Sequence, residues 1–405
     1  MDIKNIKKDF PIFKKQINGK PLVYLDSANS SQKPKVVIDR ISHFYETEFS
    51  NVGRSVHTLA VKATNSFEAT RDKVQKYLNA NHREEIIFTK GATEAINLVA
   101  SSYGKKYINK GDEILITELE HHSNYVPWNF LRTEKGAVIK FAQVNENGDV
   151  ELDEIKKLIT SKTKIIAITH ISNVTGAVLP ITKIVDLAKE KKIPVLIDGT
   201  QGAPHSEIDM QKIGCDFYAI SCHKMYGPNG LGLLYMKKKW VDDLPPYQGG
   251  GGMINEVKKD EISFADAHTK FEAGTMQTAE VVAFAESLNF IEKLGIKNIT
   301  SHENEILQYG LETLKKNNSV NIIGDPKERG SVLCFTLKDI HPHDIATILD
   351  DDGVAIRAGH HCCQILHDKL GIPATARASI GVYNDKEDID KLSDAIKNCQ
   401  KVFQN

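Results

Sequence analysis

The sequence predicts an α/β fold: a mostly parallel sheet covered by helices, followed by a smaller C-terminal α/β domain. Three observations carry this reading. Seven short apolar runs recur between residues 84 and 236, with helical stretches separating several of them. Most of these runs are continuous rather than alternating, as strands buried on both faces are. Near residue 285 the pattern changes to long helices and then to a second, shorter set of strands.

Taken in order, the opening MDIKNIKKDFPIFKK has no apolar stretch and does not read as a secretory signal. PKVVIDRISHFYETEF places Val37, Ile41, Phe44 and Tyr45 at helical spacing. EEIIFT (84–89) is the first strand, and GATEAINLVASSY reads as a helix opening at Gly91 to Thr93. The strands DEILIT (112–117), AVIKFAQV (137–144), TKIIAITH (163–170), IPVLIDG (193–199), DFYAIS (216–221) and GLGLLYM (230–236) follow, with LDEIKKLIT and ITKIVDLAKEKK as helices among them. QGGGGMI (248–254) is a glycine-rich loop too short to be a linker. AESLNFIEKLG and SHENEILQYGLETLKKN are long helices; NIIGD, SVLCFTL, VAIRAG and ARASIGVY are strands of the second set, with HDIATILDDDG as a helix among them. The last helix starts at Asp385, where Asn384 and Glu387 have capping-box spacing. The large domain is placed at residues 20–285 and the small one at 1–19 and 286–405.

Composition excludes several classes. The 405 residues are 41% hydrophobic and 26% charged with a formal net charge of −1, an ordinary globular balance. It argues against nucleic acid or an anionic membrane as partner. No apolar run is long enough to span a bilayer. The six cysteines lack framework spacing and any CxxC, which argues against a disulfide scaffold or a cysteine-pair zinc site and for a reducing cytoplasm.

Chemistry gathers at the ends of the predicted strands. Asp198 ends an apolar strand, and Lys224, with Ser221 and His223 beside it, follows the next. Alone, such an aspartate is ordinarily a turn residue and such a lysine a solvated charge. Together at one sheet edge they suit pyridoxal 5'-phosphate, the lysine bonding its aldehyde and the acid holding its ring nitrogen protonated. Ala92 and Thr93 open a helix directly after a strand, where free amides and the positive helix end favour a phosphate. Ser221 and His223 can add donors. His121, after EILIT, can stack on a ring. Asn173, after another strand, can reach a ring hydroxyl or a substrate carboxylate, and Gln201 lies close enough to Asp198 to reach a ring oxygen.

With these residues in place, the chain resembles the aminotransferase class-V family of type I fold pyridoxal-phosphate enzymes, and within it the group II, SUF-type cysteine desulfurases, for which selenocysteine lyase activity is usual. The likeness runs in order through YLDSANSSQKP, KGATEAINLVA, LEHHSNYVPW, HISNVTGAVLPI, DGTQGAPH, SCHKMYGPNGLGLLY, PPYQGGGGMI, FEAGTMQ and VAIRAGHHC. It implies a large cofactor domain built on a seven-stranded sheet. It implies that Lys224 binds the cofactor covalently, that Asp198, Gln201 and His121 contact the ring, and that Ala92, Thr93, Ser221 and His223 hold the phosphate. Thr275 would reach the phosphate of a neighbouring subunit, so a homodimer is implied. Ala28, Asn173, Arg357 and Arg377 would bind the substrate, L-cysteine. Cys362 would accept the sulfur as a persulfide destined for iron–sulfur cluster assembly, with Arg357, His360 and His361 as candidates to sustain its thiolate. His343 would capture zinc from a SufU-like, zinc-dependent acceptor, a SufE-like one fitting less well; no metal is implied in the isolated enzyme.

Three departures stand out. Cys363 occupies a position where small residues are usual and reads as a small buried hydrophobe. Cys222 reads as packing. Gly53 precedes Arg54 where many relatives carry histidine. Two other readings compete. Another class-V enzyme, an aminotransferase or kynureninase-like hydrolase, would share Lys224 and Asp198 without needing Cys362. A metal or cluster scaffold of His341, His343, His360, His361, Cys362 and Cys363 would leave Lys224 unexplained.

Overall fold

The computed structural model describes every residue except Arg54 and Asn405, and of Gln404 the backbone alone. Arg54, noted above beside Gly53, therefore lies outside the described residues. All seven predicted strands join one sheet in the order Ile86–Thr89, Gly232–Met236, Phe217–Ser221, Val195–Asp198, Thr163–Thr169, Glu113–Thr117, Val138–Ala142. Gly232–Met236 runs antiparallel to the other six strands of this sheet.

The continuous apolar runs have a direct physical reason. In Glu113–Thr117, Leu115 packs into the core on one face while Ile114 and Ile116 pack into the core on the other. Ile166 and Ile168 divide from Ile165 and Ala167 in the same way. Helices cover both faces, so alternate residues meet protein either way. One open edge is closed by a buried ion pair. Arg71 binds Glu272, donates to the carbonyl of Ile86 at 2.7 Å, and leaves Glu272 to accept the amide of Phe88 at 2.8 Å. Two outward-facing backbone groups of that edge strand are thereby paired.

A second sheet, Val320–Ile322, Val332–Leu337, Thr375–Ser379 and Arg357–Gly359, is antiparallel and packs under the helices Ile296–Lys315, Pro342–Asp351 and Lys386–Gln404. The N-terminal segment is tied to it. Val23–Tyr24 pairs with Val354–Ala355, Asp26 bridges Ser379, and Lys7 reaches Asp385 and Asp388. The two sheets are joined by the unbroken helix Thr278–Leu294, which packs on Lys35–His43 and Thr58–Tyr77.

One local expectation is corrected. The final helix is capped by Asp385 and Asp388, not by Asn384 and Glu387. The amide of Asp388 donates to Asp385 Oδ1 at 3.1 Å and the amide of Asp385 to Asp388 Oδ2 at 3.3 Å. The Asn384 side chain is occupied elsewhere, accepting from the Gly381 amide and donating to the Tyr24 carbonyl. A tertiary demand has displaced the cap by one residue.

Candidate active site

Every parallel strand end that carries a predicted site residue opens onto one cavity. Its wall includes Ala92, Thr93, His121, Asn173, Asp198, Gln201, Ser221, His223 and Lys224. The structure adds Asn29, Ser123, Thr169, Ile171 and Thr200 to that wall.

Each side chain is placed by a local device. The helix Ala92–Tyr107 starts directly after Ile86–Thr89, its apolar face spent on the sheet core. The Ala92 amide donates to Ser221 Oγ at 3.0 Å, which leaves the Ser221 hydroxyl proton free. Thr93 Oγ1 and Ser123 Oγ lie 2.7 Å apart. The approach is close: a Cβ on Gly232 would meet Gly91 Cα at 2.4 Å, so glycine is required for the strand to pass the helix start.

His121 stands at the head of a short turn. Its Nδ1 accepts the Ser123 amide at 3.1 Å, which puts its proton on Nε2. Burial, with Lys224 adding to it against Asp198, holds the imidazole down to about 4, so it is neutral at physiological pH. Behind it, buried Glu120 accepts from Thr117 Oγ1 and Asn124 Nδ2, both at 2.6 Å, and from the Thr169 amide at 3.0 Å. It ties two strand ends to the histidine turn, and burial raises its carboxyl to about 8.

Asp198 is buried and accepts the Thr200 amide at 3.0 Å. Lys224 is open to the solvent only in part, and no hydrogen bond of its amine is found among the described residues. Burial, followed by Arg377, lowers that amine to about 8, against the opposing pull of Asp198 and Asp26. The turn bearing it is gripped at the preceding carbonyl. His223 O accepts from Lys33 Nζ at 2.7 Å, Ser31 Oγ at 3.0 Å and the Ser31 amide at 3.1 Å. Burial lowers Lys33 to about 7 and His223 to about 4.

Gln201 donates to the Ala28 carbonyl at 2.7 Å, and its Oε1, like Thr200 Oγ1, is buried with no partner among the described residues. The orphaned amide oxygen asks for a ligand donor, and the orphaned hydroxyl can give a hydrogen bond to a ligand oxygen or take one. Added to a helix start for a phosphate, a carboxylate for a ring nitrogen and an unengaged amine for an aldehyde, they fit pyridoxal 5'-phosphate.

Arg377 reaches the same place from the second sheet. It is buried, donates to the Asn173 carbonyl at 3.1 Å and to Asp26 at 3.3 Å, and faces Arg357 across the strand pair. Two adjacent guanidinium groups suit a carboxylate.

The turn at Cys362 docks on the rim. His361 and Cys362 both adopt left-handed backbone, with φ of 51° and 57°, and the Cys363 amide closes the turn on the His360 carbonyl at 2.9 Å. Non-glycine residues pay on the order of 1 kcal/mol or more each for that conformation. The turn is held by Asn173 Nδ2 on the His361 carbonyl and by the His122 amide on the Cys362 carbonyl, both at 2.8 Å. Cys362 is the one half-exposed cysteine; the other five, Cys222 and Cys363 included, are buried and all six are free. His361 is buried against Thr375 at 3.0 Å, and burial lowers it to about 2. His360 is exposed.

Some expected residues stand apart. Thr275 is exposed in a separate depression with Gly53, Glu68 and Gly274. His343 is exposed on the first turn of Pro342–Asp351. No three His, Cys, Asp or Glu side chains gather as a metal site among the described residues, so the scaffold reading has no geometry behind it. No described helix is long and apolar enough to cross a membrane. Asp26 and Lys33 were not singled out by sequence, although Asp26 follows the apolar run LVYL much as Asp198 follows PVLI.

The chain resembles known proteins over nearly its whole length. The sequence model of the aminotransferase class-V family matches residues 23–392. A probable cysteine desulfurase of Halalkalibacterium halodurans is 44% identical, the match covering 100% of this chain and 99% of that one. One from Staphylococcus epidermidis is 46% identical over 99% of this chain and 98% of its own. Among solved structures, the cysteine desulfurase CsdA of Escherichia coli, in an S-sulfonic acid form, superposes with a TM-score of 0.92 at 34% identity, covering 99% of each chain.

Proposed function

The chain belongs to the aminotransferase class-V family and is a pyridoxal-phosphate-dependent cysteine desulfurase, and we propose that Cys362 is the residue that takes the sulfur from L-cysteine. One observation carries the assignment: of six cysteines only Cys362 is open to solvent, and its turn is fastened to His122 and Asn173 at the rim of the Lys224 cavity.

The bound cofactor supplies an electron sink that loosens the bonds to the substrate Cα. Lys224, its amine lowered to about 8, accepts and returns the Cα proton near neutral pH. Asp198 would hold the ring nitrogen protonated, and neutral His121 would contact the ring. Arg377 and Arg357 bind the substrate carboxylate, with Asn173 beside them. The Cys362 thiolate then attacks the substrate sulfur. An S–S bond forms, the C–S bond breaks with its electron pair left on the substrate carbon, and protonation there gives L-alanine.

The same reading extends to partners. Thr275, exposed and apart from the cavity of its own chain, serves the cofactor phosphate of a second copy in a homodimer. The persulfide passes to a zinc-dependent, SufU-like acceptor for iron–sulfur cluster assembly, with selenocysteine as a further substrate. The buried, unpaired cysteines fit a cytoplasmic setting.

The test is the purified protein with L-cysteine. Alanine release together with a one-sulfur mass gain on the peptide carrying Cys362 is expected. Alanine formation with the label on another cysteine, or transamination without sulfur transfer, would overturn the assignment of Cys362.

A further inference from the structure

The reaction makes no use of Cys363, yet its thiol is directed. The residue is 1% exposed and immediately precedes the helix Gln364–Leu370. Its Sγ lies 3.0 Å from Asn173 Oδ1 and 3.9 Å from the Leu119 carbonyl. Burial, reinforced by nearby Glu120, raises the thiol far above its ordinary range. It therefore keeps its proton, and of the two acceptors in reach the amide oxygen is much the nearer.

We propose that Cys363 is a positioning residue for sulfur transfer: its S–H fixes the orientation of the Asn173 amide, and that amide holds the His361–Cys362 turn. The inference rests on the desulfurase reading. An asparagine amide has two orientations that differ by exchange of oxygen and nitrogen. In the one observed, Oδ1 accepts from the thiol and Nδ2 donates to the His361 carbonyl at 2.8 Å. The other would set oxygen against a carbonyl oxygen and an NH₂ against a protonated thiol. The S–H thus adds to the His361 carbonyl in selecting the orientation that grips the turn.

That grip matters because the turn is strained at both His361 and Cys362. Asn173 is also the residue where three parts of the site meet. It lines the cavity, its carbonyl accepts from Arg377, and its amide holds the nucleophile's turn. An apolar residue at 363 leaves Asn173 Oδ1 buried without a donor and weakens the preference for the observed orientation, which the His361 carbonyl then sets alone.

The holoenzyme with Cys363→Ala, Cys363→Ser, Cys363→Val or Cys363→Thr tests this, because serine and threonine keep a donor while alanine and valine do not. The first readout is the rate constant for iodoacetamide alkylation of Cys362, followed by mass spectrometry of its peptide. It needs no turnover, so it stands even if no alanine is released from cysteine and the desulfurase reading falls. The second is kcat and KM for L-cysteine. Alanine and valine are expected to change the alkylation rate and lower kcat by about three- to tenfold, the size of one hydrogen bond, with KM shifted less. Serine or threonine should return both readouts to within about twofold. The pairs guard against misfolding, since either one that keeps the native melting transition decides the matter. Native behaviour in the alanine and valine variants, or impairment in the donor variants equal to that in their apolar counterparts, would overturn the proposal.

Discussion

The backbone amide of His122 donates to the carbonyl oxygen of Cys362 at 2.8 Å, joining the rim of the Lys224 cavity to the Cys362 turn from the far end of the chain. The contact involves no side chain of Cys362. Cys362→Ser should therefore leave the turn in place, keep the cofactor and still bind L-cysteine, while sulfur transfer falls on the order of 100-fold or more. A hydroxyl is too weakly acidic to supply the nucleophile. Cofactor absorbance on adding cysteine and persulfide labelling together check this. Native sulfur transfer by the serine variant would remove Cys362 from the reaction.

Lys224→Ala should abolish turnover outright. Lys33, the other buried amine close by, has its Nζ committed to the carbonyls of His223 and Ser31 and does not line the cavity. It cannot take over as the Cα base. The variant is expected to hold the cofactor only by noncovalent contacts, so gel filtration should strip it where the native enzyme retains it. Measurable alanine release from the variant would contradict the role.

Cofactor uptake by the apoprotein should report the depressed amine directly. A base whose folded pKa lies below its ordinary value is a free amine from about 8 upward instead of from above 10. The second-order rate constant of pyridoxal phosphate capture should rise as pH climbs toward about 8 and then level. Arg377 is the second cause of the depression after burial, so Arg377→Met should move the midpoint upward. An unchanged midpoint would show that Arg377 does not set this charge balance.

Asp26→Asn should destabilise the fold by about 3 kcal/mol, because it leaves the Arg377 guanidinium buried without its carboxylate. Arg377 Nε already lacks a partner among the described residues, and burial, with Arg357 adding to it against Asp26, lowers its affinity for a proton. Denaturant midpoints at constant slope measure the loss. KM for L-cysteine should rise as the arginine loses its orientation.

Much of this arrangement was legible in the chain because its strands are buried on both faces. VLID, FYAIS and EILIT each announce a strand and deliver a residue of the cavity wall at its end or a few positions beyond. The helix Thr58–Tyr77 was not legible. Its buried positions are Ala60, Ala63, Phe67, Thr70, Arg71 and Val74, a stripe at helical spacing but built mostly of small residues and including an arginine paired with Glu272. The exposed hairpin Ile254–Val257 with Ile262–Phe264 was missed for a related reason, being short, partly charged and packed on little. The pairing of Asp26 with Arg377 lies beyond any local pattern, because it depends on how the N-terminal segment returns to the second sheet. The Cys363 thiol reads correctly as a buried small residue, but its bond to Asn173 appears only once two distant loops are brought together.

The last prediction concerns the sulfur acceptor. His343 sits exposed on the first turn of Pro342–Asp351, where its amide donates to His341 Nδ1 at 3.3 Å and the two rings stack 5.4 Å apart. Neither ring nitrogen of His343 takes part in a hydrogen bond among the described residues, so one is free to bind a metal presented by a partner. A neutral imidazole is a good zinc ligand, and transfer of zinc to it would release a partner cysteine as the thiolate that removes the persulfide. His343→Ala should therefore leave basal turnover and L-cysteine binding unchanged while stimulation by a zinc-loaded acceptor falls about tenfold or more. The comparison is desulfurase turnover of both proteins against rising acceptor concentration, with the zinc-free acceptor as control. Equal stimulation of the native and His343→Ala enzymes would rule out the ligand exchange. Loss of basal activity in the variant would point instead to a structural role for the stacked pair.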